Sequence, residues 1–249
     1  LRIAIHPSKE PSMHKENQPD LSGVVRSAVY LLAQGTPEDF NQHYRQRQFR
    51  ARASVIDEAC MVMDFSYEKR AEFYTYVYNR LVRKVPVDYL EFGVATGESF
   101  QAWLGLSRQP ESRFYGFDSF EGLPENWQED SPMGAYSTGG QVPQVDDPRA
   151  TFIKGLFQQT VDDFSLGFTP KNRLVLHMDA DLYSSTLYVL MTMNRHIRPG
   201  TLLLFDEFTA RGFTDEFAAL EDFCAACGRS YVVRARRGDF VKLAVEITA

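Results

Sequence analysis

The chain has 249 residues, 44% of them hydrophobic and 24% charged, proportions that exclude a collagen-like repeat or a wholly disordered chain. Its 27 Lys and Arg against 33 Asp and Glu leave a net charge of −6, which argues against nucleic acid as a partner held by bulk electrostatics. No apolar run is long enough to span a membrane, and Cys60, Cys224 and Cys227 are too few for a disulfide framework. No charged-then-apolar leader opens the chain, so the expected setting is a reducing cytoplasm.

Residues 1–20 are polar and rich in Pro, Lys and Glu, and read as a loose arm that orders against a partner subunit, which predicts a homo-oligomer. From Leu21 to Gln34, Val24, Val25, Ala28, Val29, Leu31 and Leu32 recur with helical spacing, and Gly35 can cap the helix. Arg45, Arg47, Arg50 and Arg52 form a basic cluster, read as a solvated face, with contact to a substrate phosphate as the alternative. Ser66 to Lys84 predicts another helix, with Phe73, Val77 and Leu81 along one side. Residues 1–84 are thus an arm and helical extension, and 85–249 the main domain.

From residue 87 short apolar runs alternate with helical patterns. Strands are expected at Val87–Phe92, Arg113–Phe117, 151–154, Leu174–Met178, Thr201–Phe205, Tyr231–Arg234 and Phe240–Ile247. Helices are expected at Ser99–Ser107, around 158–165, at Ser185–His196 and at Thr214–Cys227, the last capped by Gly228. Such alternation implies an α/β fold with a mostly parallel sheet and helices on both faces. The last two strands are joined too closely for a parallel crossover, so the final strand should run antiparallel. Between Glu121 and Arg149 lies a stretch rich in Pro, Gly, Ser and acids, long enough to read as a lid over a site.

In an open α/β sheet ligands bind outside the carboxyl ends of the strands. After the first of these strands comes Glu91-Phe92-Gly93-Val94-Ala95-Thr96-Gly97-Glu98-Ser99, whose two glycines let the backbone turn sharply and approach a ligand. Asp118 closes the second strand, where an acid can accept both ribose hydroxyls of an adenosine. Asp179-Ala180-Asp181 and Asp206-Glu207 follow two later strands. Four carboxylates on one sheet edge repel each other, and a divalent cation with hard oxygen ligands resolves that conflict. Cys224 and Cys227 form a C-x-x-C inside a helix with no second pair, so they read as structural. His177 in its apolar strand reads as a core histidine, with ligand or base as the alternative, and His196 closes a helix where a cation suits the macrodipole.

Glu91-Phe92-Gly93, the run Phe114-Tyr115-Gly116-Phe117-Asp118-Ser119-Phe120-Glu121-Gly122-Leu123-Pro124, then Asp179-Ala180-Asp181-Leu182-Tyr183-Ser184-Ser185-Thr186 and Asp206-Glu207 resemble the macrocin O-methyltransferase (TylF) family. These are class I S-adenosylmethionine (SAM) enzymes that methylate sugar hydroxyls in bacterial secondary metabolites, and the matching blocks run from about residue 87 to 208. The resemblance implies a Rossmann-like sheet of seven strands with SAM beside the glycine turn. Its cofactor-binding residues would be Glu91, Gly93, Gly97, Ser99, Asp118, Ser119, Gly155, Phe157 and Asp179. It further implies Mg²⁺ on Asp179, Asp206 and Glu207, and Asp181 as general base. Gly155-Leu156-Phe157 is similar to a family segment that lies near the adenine. Glu207 stands where the family usually has a second Asp, Ala180 where it often has Gly, and Ala95-Thr96 where bulkier or basic residues are common.

The implied chemistry is an in-line methyl transfer to a sugar hydroxyl, with a metal lowering the hydroxyl's pKa and a carboxylate taking its proton. The acceptor is expected to be a sugar-containing small molecule, either a glycosylated product or a nucleotide-activated deoxysugar. A metal-dependent nucleotide-sugar glycosyltransferase is the main rival, because a D-x-D at a strand end can hold a metal and a diphosphate. An NAD(P) reductase lacks support, since neither the dinucleotide glycine spacing nor a Tyr-x-x-x-Lys pair is present: Leu187 stands four residues after Tyr183. A binding protein on an inactive fold would have no reason to cluster uncompensated acids.

Overall fold

A computed structural model describes Arg45, Gln48, Phe49, Cys60–Ser66, Lys69–Gln128, Asp130–Thr209 and Thr214–Ala249, all within one compact unit spanning Arg45–Ala249. The expected arm, the helix at Leu21–Gln34, and Arg47, Arg50 and Arg52 lie outside the described residues. Arg45 is described, with its guanidinium 4.7 Å from the Tyr183 ring centroid.

The strands are Met61–Met63 (β1), Val87–Phe92 (β2), Arg113–Asp118 (β3), Ala150–Lys154 (β4), Arg173–Met178 (β5), Leu202–Phe205 (β6), Tyr231–Arg237 (β7) and Leu243–Ile247 (β8). The helices are Arg70–Tyr76 (α1), which continues as a π-helical segment over Val77–Val82, then Glu98–Leu106 (α2), Phe157–Gly167 (α3), Tyr183–Met193 (α4) and Asp215–Cys227 (α5). The sheet order is β1-β7-β8-β6-β5-β2-β3-β4. Strands β4, β3, β2, β5 and β6 are mutually parallel, and β8 runs antiparallel to both β6 and β7, as its short connection required.

The sheet has eight strands rather than the seven expected. The additional strand, β1, pairs in parallel with β7 at an edge. It is three residues long and largely exposed, so it carries no alternation of apolar and polar residues by which a sequence could announce it. The final strand begins at Leu243, not Phe240. The chain reverses at Phe240 with φ 62°, and the Asp239 carboxylate accepts from Arg237 and from the Val241 N–H, which lengthens β7 at the expense of β8.

Strands β2 and β5 are buried almost throughout because helices cover both their faces. On one face Leu90, Phe92, Leu176, Met178, Leu190 and Phe223 pack together; on the other, Tyr89, Val87, Val175, Trp103, Phe100 and Phe73 do so. Cys224 and Cys227 pack against the first of these layers, as the structural reading expected. His196 hydrogen-bonds the Ser165 carbonyl at 2.8 Å, also a structural role.

At the amino edge the buried Asp88 holds β2, β3 and β5 together. It accepts two hydrogen bonds from Arg113 (2.8 and 2.7 Å) and backbone N–H donors from Lys171 (2.6 Å) and Asn172 (3.0 Å). Burial raises its pKa, but Arg113 and the two amides outweigh that and hold it below the ordinary carboxylate range. Its stabilising contribution is therefore present above the unfolded pKa and is lost as pH falls through the depressed folded value. Asp88→Asn should cost about 1.5–3 kcal/mol in urea unfolding near neutral pH, because an amide nitrogen then faces donors. The penalty should shrink in acid; a penalty unchanged there would detach Asp88 from this linkage.

Candidate active site

The chain order changes direction between β2 and β5, and at such a switch the loops leaving neighbouring strands splay apart to leave a crevice. That crevice is a cavity of about 430 Å³. Gly93 and Ala95 reach it from the end of β2, Asp118 and Ser119 from β3, Gly155 and Phe157 from β4, Asp179 and Asp181 from β5, and Glu207 from β6. Leu123, Pro124, Trp127 and Tyr136 of the 121–149 segment form another wall. The segment is pinned there: Trp127 Nε1 donates to Asp215 at 3.3 Å, Ser184 Oγ donates to Glu125 at 2.6 Å, and the Gly140 N–H donates to the Phe120 carbonyl at 2.8 Å.

Of the residues expected at the cofactor, Gly93, Asp118, Ser119, Gly155, Phe157 and Asp179 line the cavity, whereas Glu91, Gly97 and Ser99 do not. Gly93 has φ 95°, and a Cβ placed on it would lie 1.8 Å from the Asp179 carbonyl oxygen. Its glycine character thus serves the contact between two strand-end turns as well as approach to a ligand. Gly97 turns the chain into α2 at φ 81°. Asp118 Oδ2 accepts the N–H groups of Val94 (2.8 Å) and Ala95 (2.7 Å), and Oδ1 accepts that of Phe120 (2.7 Å). A carboxylate offers about four acceptor sites, so ribose hydroxyls can still be accommodated beside these amides. Ser119 shapes the following turn, with Oγ accepting from the Glu121 N–H at 3.1 Å.

Glu91 lies beneath the cavity, fully buried, accepting from Ser99 Oγ at 2.6 Å and from the Tyr89 hydroxyl. The Tyr89 hydroxyl also meets His177 Nδ1 at 2.6 Å, and His177 Nε2 meets Asp206 Oδ1 at 2.9 Å. Burial opposes protonation of His177, but the charges and hydrogen bonds of Asp206 and Glu91 push it up to about 10. A cationic imidazole donates from both nitrogens, which lets Tyr89 pass its own proton toward Glu91. His177 therefore has no free nitrogen and no exposure, which removes it as an alternative base.

Asp206 receives two further donors at its other oxygen, the Tyr74 hydroxyl at 2.6 Å and Lys242 Nζ at 2.5 Å. Burial raises the Asp206 pKa, but Lys242 and His177 overcome it and keep the group ionised. Of the Mg²⁺ trio that the resemblance implies, Asp179 and Glu207 line the cavity and Asp206 does not. Both Asp206 oxygens are committed to protein donors, and no three His, Cys, Asp or Glu side chains among the described residues converge to hold a metal ion. The clustered acids read as uncompensated in the sequence, but Lys242 supplies a basic partner from the β7–β8 turn.

The remaining acids are crowded, and Lys242 only partly offsets the repulsion on Asp179. Burial, and then Asp206, raise Asp179 well above the ordinary value. Glu216, fully buried in the first turn of α5, is raised by burial and then by Asp179, Asp181 and Glu207. It still accepts the Glu207 N–H at 3.2 Å and the Ala180 N–H at 3.4 Å, so it ties the turn after β5 to the turn after β6. Strand β5 ends at Met178, and Asp181 sits at φ 60°, a left-handed conformation uncommon outside glycine. That turn carries the chain into α4 and directs Asp181 to the cavity, where its carboxylate accepts no hydrogen bond from another described residue. Nothing in the local sequence marks Tyr74, Lys242 or Glu216 as partners of these acids. The aromatic content of 121–149 was the available signal for Trp127 and Tyr136.

A glycine turn, a strand-end acid and an unpaired carboxylate around one carboxyl-edge cavity, on this sheet, define a class I SAM-dependent methyltransferase. The chain belongs to the macrocin O-methyltransferase (TylF) family, whose model matches residues 14–228; it is a SAM-dependent O-methyltransferase. Among solved structures, CalS11, a calicheamicin methyltransferase, is 18% identical with a TM-score of 0.58, covering 96% of this chain and 99% of its own. The O-methyltransferase NovP is 20% identical with a TM-score of 0.55, covering 73% of this chain and 80% of its own. An apo structure of CalS11, described as a TDP-rhamnose 3'-O-methyltransferase of calicheamicin biosynthesis, is 18% identical with a TM-score of 0.53, covering 93% of this chain and 96% of its own. These likenesses share the fold, and none supports the glycosyltransferase alternative. No curated protein sequence matches the chain. Among the described residues no helix is long and apolar enough to cross a membrane.

Proposed function

We propose that this protein methylates a hydroxyl of a sugar in natural-product biosynthesis, the sugar being carried either on a glycosylated product or on a nucleotide. The observation that carries the reading is the shared cavity: Asp118 and the glycine turn on one side, the unpaired Asp181 on the other, and an apolar wall of Leu123, Pro124, Trp127 and Tyr136. Bound there, SAM supplies a methyl group on a sulfonium, which an oxygen nucleophile can displace in line. Asp118 accepts the ribose hydroxyls. Asp181 Oδ accepts the proton of the acceptor hydroxyl as the new C–O bond forms and the C–S bond breaks. Trp127 and Tyr136 offer flat faces for a sugar ring and shield the reacting atoms from water.

The test is a screen of nucleotide deoxysugars and glycosides with methyl-labelled SAM, with label expected on a sugar oxygen. Release of a nucleoside diphosphate without methyl transfer would overturn the reading. Asp118→Ala should weaken SAM binding in calorimetry by about 1–3 kcal/mol, the scale of hydrogen bonds to a charged group. An unchanged affinity in a folded mutant would place the cofactor elsewhere.

A further inference from the structure

We propose that Lys242 is the resident cation of this acid cluster, occupying from inside the protein the place at Asp206 that a divalent ion would otherwise fill, and acting as a positioning residue for the floor of the cavity. The inference deepens the methyl-transfer reading and rests on it for the role of that floor. Its basis is topological. Strand β8 runs antiparallel to β6, with Leu243 opposite Phe205, so the residue preceding β8 falls opposite the residue following β6. Those residues are Lys242 and Asp206, brought to the carboxyl edge by the one strand that arrives there with its amino end. The Phe208 N–H donates to the Val241 carbonyl at 2.8 Å and holds the two turns in that register.

Lys242 is fully buried and its ammonium lies 2.5 Å from Asp206 Oδ2. Burying an ammonium is costly unless an anion faces it, and withdrawing one member of such a pair leaves the other uncompensated. Asp206 in turn is completed by Tyr74 and His177, so a metal ion could take it only by displacing protein donors that are themselves buried. The ammonium's field also reaches Asp179, opposing the repulsion that Asp206 and Asp181 exert on it. The arrangement makes Asp206 a buttress and leaves Asp179 and Asp181 as cavity carboxylates that accept no hydrogen bond from another described residue.

The test uses Mn²⁺ as the probe, read by electron paramagnetic resonance on the whole chain, alongside SAM calorimetry. The parent chain and K242R, which keeps the charge, should leave millimolar Mn²⁺ unbound. K242M, which keeps much of the volume, should bind Mn²⁺ at least about tenfold more tightly, as removal of a unit charge a few ångströms away requires. Adding Asp206→Asn to K242M should abolish that gain. Turnover lost in K242M should return in K242R. Sub-millimolar Mn²⁺ binding by the parent chain that D206N removes, or a folded K242M with no gain in Mn²⁺ affinity, would overturn the proposal. If K242M does not fold, the parent and D206N measurements decide it. A parent chain that binds no SAM would instead sink the methyl-transfer reading, whatever the Mn²⁺ result.

Discussion

Asp181→Asn is expected to lose at least about a hundredfold in turnover, the usual scale for a general base, while binding SAM as the parent chain does. The substitution keeps the shape of the side chain and removes its basicity. Asp179 and Asp181 are the cavity acids whose carboxylates accept no hydrogen bond from another described residue, whereas Asp206 is held by three groups and Asp118 by three; of those two, Asp181 is the one that the resemblance implies as base. Burial, followed by the charges of Glu207, Asp206, Asp215 and Asp118, pushes Asp181 up to about 8. A base works only when ionised, so turnover should rise with pH through that value and level off above it. The same rise should be missing from the residual activity of the mutant. A mutant that keeps both its turnover and the rising limb would move the base to another group.

The left-handed turn at Asp181 sets what was legible in the sequence against what was not. Strands β2 to β6 and their helices were readable because short apolar runs alternate with helical patterns, and their order placed Gly93, Asp118, Asp179 and Asp181 on one edge. The direction of the last strand was readable from the shortness of its connection. The side-chain partners of the acids were not. Lys242 and Tyr74 lie 36 residues after and 132 residues before Asp206, and only the position of β8 beside β6 and the packing of α1 under the sheet bring them to it. A buried Lys in a turn has no periodic signature, so four clustered acids looked uncompensated. The resemblance implies Glu91 and Ser99 at the cofactor, and neither lines the cavity. Strand order fixes which edge a residue occupies, but not whether its side chain is spent on a neighbour, as Glu91 is on Ser99 and Tyr89.

Gly93→Ala should be the most damaging of the small substitutions at this edge, lowering unfolding stability by roughly 2–6 kcal/mol through a left-handed backbone cost and an overpacking cost. Gly93 adopts φ 95°, where a side chain is strained whatever the space around it. The space is also absent. The new Cβ would stand 1.8 Å from the Asp179 carbonyl oxygen and 2.6 Å from its carbonyl carbon, both backbone atoms that no rotamer change can move. The turn after β5 must then shift away from the turn after β2. That shift has functional content, since the Asp179 N–H donates to the Phe92 carbonyl at 3.0 Å and the Gly93 N–H to the Phe117 carbonyl at 3.0 Å, so β2, β3 and β5 are tied together at the cavity mouth. Any of the protein that still folds should therefore bind SAM more weakly. Gly97→Ala provides the contrast: Gly97 also has positive φ, but its Cβ would meet only side chains, Pro143 at 3.1 Å and Gln101 Nε2 at 3.6 Å, so the cost should fall toward the backbone cost alone. Denaturant unfolding and SAM calorimetry on the two variants separate these cases. Equal losses would mean that the approach of Gly93 to Asp179 does not hold the two turns in place.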